Sequence, residues 1–122
     1  MDIATRLTEL KKDPSFRRDV GMVLIHNGVV RGTSRDGTPV ESVDIRVDRD
    51  KVDQLVRECN AREGIHTVLA EAYDGNRVPG DDVLYLVVAG DIRENVKAAL
   101  SDLLDQIKTQ AVSKKEHPAA AG

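Results

Sequence analysis

The sequence has one cysteine, no tryptophan and only three other aromatic side chains, Phe16, Tyr73 and Tyr85. The lone Cys59 excludes an internal disulfide and a cysteine-cluster zinc site. So few rings exclude base-stacking platforms for single-stranded nucleic acid. No apolar run approaches the roughly 18 residues needed to span a bilayer. The start, Met1-Asp2-Ile3-Ala4, lacks the basic region and apolar stretch of a secretory leader. Positive charge is not in excess either. A net charge of −3 argues against a generic nucleic-acid coat. His26, His66 and His117 lie far apart, none in a His-x-x-x-His spacing, so no metal is expected, and nothing calls for a cofactor. What is present is 40% hydrophobic and 32% charged over 122 residues. That suits one soluble, cytoplasmic domain with an aliphatic core.

Residues 3–12 read as a helix, with Ile3, Leu7 and Leu10 at helical spacing and Asp2 as cap. Asp13-Pro14-Ser15 breaks it. Residues 21–30 form an apolar run read as a buried strand, bulged at Gly28. Arg31 to Thr38 is a polar loop. Val43, Ile45 and Val47 alternate with Asp44 and Arg46, as in a half-exposed strand. Asp48 or Asp50 can cap a helix carrying Val52, Leu55, Val56 and Cys59 on one face, with Gly64 as its stop. A strand is expected over 65–72, turns at Asp74-Gly75-Asn76 and Pro79-Gly80-Asp81, and an unbroken apolar, central strand over 83–88. The last helix carries Ile92, Val96, Ala99, Leu100, Leu103, Leu104 and Ile107 on one face. The expected fold is α+β, a mostly antiparallel sheet with flanking helices in one domain over 1–112. Residues 113–122 read as a tail carrying Lys114 and Lys115, disordered at its end.

No catalytic pair stands out by acid–base logic. Cys59 lies on an apolar helix face and reads as core. His26 interrupts an apolar strand: it is either a site residue or a half-buried histidine beside a loop. The cations are more informative. Arg31 follows the first strand directly, Arg93 follows the central strand, and Lys108 closes the last helix, with Lys115 two helical turns further on, on the same face if the helix ran that far, and Lys114 beside it. Strand ends commonly converge at one rim of a sheet, where such cations can hold a small anion such as phosphate. The bland alternative is a set of solvated charges.

These segments together resemble the large, catalytic subunit of molybdopterin synthase. Gly28-Val29-Val30-Arg31 is similar to that family's Gly-x-Val-Arg strand ending. Gly75, then Pro79-Gly80-Asp81-Asp82, is similar to its glycine turn, and residues 83–93 to its central strand and following arginine. Lys108 with Lys114-Lys115-Glu116 is similar to its Lys-x-x-x-Pro-x-Trp-Lys-x-Glu signature. The resemblance spans roughly residues 15–117. It implies an α/β-hammerhead-like fold and a sulfurtransferase of molybdenum cofactor biosynthesis. Such an enzyme moves sulfur from the thiocarboxylated Gly-Gly tail of a small ubiquitin-like subunit to cyclic pyranopterin monophosphate. It implies a homodimer within a heterotetramer. Ungapped matching puts Lys108 and Lys115 at the catalytic lysines and Arg31 and Arg93 at the arginines of the substrate pocket, with Lys114 and His26 as further substrate-binding candidates. Ile92-Arg93 and Ala72-Tyr73 stand where the family usually has His-Arg. Val112 and Lys114 replace its proline and tryptophan, and His26 replaces a phenylalanine. The family's longer C-terminal segment has no counterpart. The alternative these departures raise is a non-catalytic paralogue that binds a ubiquitin-like carrier or only dimerises.

Overall fold

The computed structural model describes residues 1–119, and its element boundaries follow from local chemistry. Asp2 caps α1 (Ile3–Leu10) by accepting from the Thr5 N–H. Asp13-Pro14 does more than break that helix. Asp13 accepts from the Ser15 N–H, and Pro14 opens a second helix, α2 (Pro14–Asp19), at a position where its missing N–H costs nothing. Strands β1 (Met22–Val29) and β2 (Val40–Val47) follow. Asp48 caps α3 (Arg49–Asn60) through the Lys51 N–H. Gly64 then adopts φ +77°, and a Cβ there would sit 2.4 Å from the Asp91 and Asn95 side chains. Only glycine makes that turn into β3 (Ile65–Ala72) without strain. The remaining elements are β4 (Gly75–Arg77), β5 (Asp82–Gly90), α4 (Arg93–Gln110) and β6 (Val112–Pro118).

The fold is α+β, and its strands form two antiparallel three-stranded sheets, β1-β5-β3 and β4-β2-β6, rather than one. β5 is the central strand of the first, as its apolar run implies. Successive side chains of a strand point to opposite faces. Leu84, Leu86 and Val88 pack into the main core with Val96, Ala99, Leu103 and Ile107 of α4 and Val52, Leu55 and Cys59 of α3. Val87 and Ala89, on the other face of β5, are 1% and 0% exposed. Both faces are therefore covered within a single chain, and the apolar run of β5 does not itself demand a second copy. A smaller apolar cluster, Val30, Val40, Val43 and Ile45, lies on the second sheet. Among the described residues, no helix is long and apolar enough to cross a membrane.

Residues 113–118 are not a tail. Ala111 ends α4, and Val112–Pro118 folds back antiparallel on β2, pairing Val47 with Val112, Ile45 with Lys114 and Asp44 with Lys115. The disordered end expected from the sequence falls partly on residues 120–122, outside the described residues.

Candidate functional site

The bulge expected at Gly28 is present: pairing with β5 steps from Gly28–Leu84 to Val29–Asp82. Beyond it Val30 joins the apolar face of the small sheet, and Arg31 opens the loop to β2. The Arg31 Nε donates to the Thr33 carbonyl at 2.9 Å. Between this strand exit, the C-terminal end of α4 and β6 lies an open cleft of about 500 Å³. Its apolar lining comes from Val29, Val30, Val43, Ile45, Val83 and Val112. Its charged lining is Arg31, Arg35, Lys108 and Lys114 against Glu116 alone, in a chain whose net charge is −3. A recess of about 70 Å³ shares Val29, Val83, Lys108, Val112 and Lys114 with the cleft and adds His26, Gly28 and Leu84.

Strand alternation decides what β6 contributes. Val112, Lys114 and Glu116 line the cleft. Lys114 and Lys115 are both exposed, but Lys115 sits on the other face, paired in register with Asp44. On that face the Asp44 carboxylate accepts from Asn76 Nδ2 at 2.8 Å and lies 2.6 Å from His117 Nε2. It thereby ties β4 and β6 to β2, and these bonds, with the Asn76 one first, hold its pKa below the ordinary value.

Burial pushes the Lys114 amine below its ordinary pKa, the neighbouring Lys108 charge adds to this, and Glu116 opposes it. Burial is also the main cause lowering the pKa of His26, with Lys108 contributing again. His26 is therefore neutral near pH 7. Its Nε2 is buried and, among the described residues, has no hydrogen-bond partner.

Of the residues singled out in the sequence, Arg31, His26, Lys108 and Lys114 meet here. Lys115 and Arg93 do not. Arg93 stands at the start of α4, its side chain 79% exposed and paired with Glu94 at 3.2 Å. Lys108 lies 15 residues further along the same helix, about 22 Å at 1.5 Å per residue. The expected meeting of Arg93 with the lysines therefore fails within one chain. Arg35 and Glu116 were not among the sequence candidates. A cation in the glycine-containing loop just after Arg31 was the available signal for Arg35. Among the described residues, no three His, Cys, Asp or Glu side chains are grouped to hold a metal ion.

Fold and site together define a small α+β domain with a basic cleft between two antiparallel sheets. The chain belongs to the MoaE family: the model of the MoaE protein matches residues 1–110. No curated protein matches it. Solved structures show the same fold at low identity. Molybdopterin synthase from Staphylococcus aureus is 20% identical with a TM-score of 0.72, over 84% of this chain and 77% of that one. Molybdopterin cofactor biosynthesis protein E from Burkholderia multivorans ATCC 17616 is 20% identical with a TM-score of 0.72, over 99% and 86%. A complex of subunits 1 and 2 of molybdopterin-converting factor from Helicobacter pylori 26695 is 13% identical with a TM-score of 0.67, over 95% and 78%.

Proposed function

We propose that this chain is the catalytic subunit of a molybdopterin synthase. In this reading it transfers sulfur from the thiocarboxylated Gly-Gly end of a small ubiquitin-like carrier to cyclic pyranopterin monophosphate, forming the molybdopterin dithiolene. Membership of the MoaE family supports a role in molybdenum cofactor biosynthesis. The Helicobacter pylori complex of two subunits supports a small-subunit partner. The observation that carries the reading is the cleft, with four cations against one carboxylate. Both reactants are anions, one a cyclic phosphate and one a thiocarboxylate, and paired cations bind such groups strongly.

Arg31 and Arg35 suit the phosphate, and Lys108 and Lys114 the thiocarboxylate. The sulfur must attack an electrophilic carbon, and protons must move as the tetrahedral centre forms and collapses. An amine with a lowered pKa is suited to that exchange, which makes Lys114 the better acid–base candidate. The apolar lining limits water that would otherwise hydrolyse an activated acyl group. In this assignment Lys114 takes the role that ungapped matching gives to Lys115. Lys114-Lys115-Glu116 reads as the signature's Lys-x-Glu once one residue fewer separates helix from strand. Arg93 can serve this cleft only from a second copy of the chain, which the homodimer implied by the resemblance would supply.

The second reading, a non-catalytic binder of such a carrier, draws on Arg93 and Lys115 lying off the cleft. One experiment separates the two. The purified chain is mixed with a thiocarboxylated carrier and cyclic pyranopterin monophosphate, and the product is assayed as molybdopterin. Product formation supports catalysis; carrier binding without product supports the second reading.

A further inference from the structure

We propose that His26 is a positioning residue at the inner end of the cleft, where it hydrogen-bonds the oxygen of a terminal thiocarboxylate and leaves the sulfur facing the outer cleft. This rests on the function proposed above. His26 sits on β1 opposite Leu86, and its ring lines the recess beside Lys108 and Lys114. The recess, about 70 Å³, has room for a few heavy atoms, roughly two waters' worth of space. That admits a terminal carboxyl-type group and excludes a pterin bicycle.

The Nε2 is buried with no partner among the described residues. Buried polar atoms are rarely left unpaired, and a ligand entering the recess would complete this one. The charged groups facing the ring are Lys108 from α4 and Lys114 from β6, while β5 presents only Val83 and Leu84. A neutral imidazole between two ammonium groups offers an N–H without adding a third charge. An N–H bonds a carboxyl oxygen better than a sulfur, because sulfur is the weaker acceptor. Oxygen therefore turns inward and sulfur outward, toward the arginines that would hold the phosphate-bearing substrate. The phenylalanine usual here in the family would fill the space without making the bond.

The test uses the full chain and a short peptide ending in a Gly-Gly thiocarboxylate. Binding is followed by NMR of the histidine rings, with His66 and His117 as internal references and the Lys108 and Lys114 side chains as cleft reporters. The His26 ring signals should move on binding. His26→Phe should weaken binding on the order of tenfold, and His26→Gln, which keeps a donor, should stay within about threefold of the parent. Movement of the lysine signals with a still His26, or a His26→Phe chain that binds like the parent, would overturn the role of His26 and leave the proposed function standing. No movement of any cleft signal would overturn both. Should His26→Phe fail to fold, the parent spectra and the Gln variant still decide.

Discussion

Lys114 and Lys115 are adjacent, share their chemistry and lie on one strand, yet they should behave oppositely when removed. Lys114 lines the cleft beside Lys108, and both burial and that like charge oppose its protonated form. Lys114 is exposed at the cleft rather than packed in the core, so Lys114→Ala should melt close to the parent temperature. Its loss from the reaction should be large. A hydrogen bond to an anion contributes about 1.5–3 kcal/mol, roughly 10- to 150-fold in binding, and loss of an acid–base group costs on the order of a hundredfold or more in rate. Lys115 faces away, across from Asp44. An exposed pair of that kind contributes at most about 1 kcal/mol, so Lys115→Ala should lower stability slightly and turnover by no more than a few-fold. The assay is the rate of dithiolene formation at low and at saturating carrier, with a melting curve for each variant. The reverse ranking, Lys115→Ala inactive and Lys114→Ala active, would refute the assignment of cleft residues from strand alternation.

Other outcomes follow from single features. Arg31→Ala and Arg35→Ala should each weaken inorganic phosphate binding by several-fold to tenfold, whereas Arg93→Ala should leave it unchanged in a monomeric preparation; calorimetric titration distinguishes them. His26 has a folded pKa below its ordinary value, so the unfolded chain takes up the proton first as pH falls. Stability should therefore decline below about pH 6.5, and His26→Phe should flatten that decline in melting curves between pH 5 and 7. Leu103 is 0% exposed in the main core, so Leu103→Ala should cost about 2–5 kcal/mol in denaturant unfolding; a change below about 1 kcal/mol would contradict its place there.

Much of this architecture is written in local signals. The run over 83–88 has no polar alternation, and it lies at the sheet centre with both faces covered. Asp48 marks the start of α3 by offering its carboxylate to the helix, and Gly64, past the Ala61 cap that ends it, tolerates the positive φ of the turn into β3. Elements held by tertiary pairing were harder to read. β6 has a single aliphatic side chain, Val112, and owes its form to the ladder with β2. The sequence carries no trace of that ladder, since its partner lies some seventy residues earlier. The same gap misranked the two lysines: helical spacing joins Lys108 to Lys115, but once the chain becomes a strand after residue 111, period two puts Lys114 on the cleft face. α2 was hidden because Asp-Pro both stops one helix and caps the next. Arg31, Lys108 and His26 were legible because each sits at an end, or a break, of a strongly apolar element. Arg35 was not, since its place in the cleft depends on how the loop after Arg31 folds.

The central claim is that the cleft holding Lys108 carries the chemistry. Lys108 lies in the last turn of α4, where its amine reaches the cleft and its loss should little disturb the core. The most direct measurement is the rate of molybdopterin formation by Lys108→Ala with thiocarboxylated carrier and cyclic pyranopterin monophosphate, at a melting temperature matched to the parent. The account predicts a rate lower by roughly 10- to 150-fold, the loss of a hydrogen bond to the anionic thiocarboxylate; a folded Lys108→Ala chain that turns over near the parent rate would contradict it.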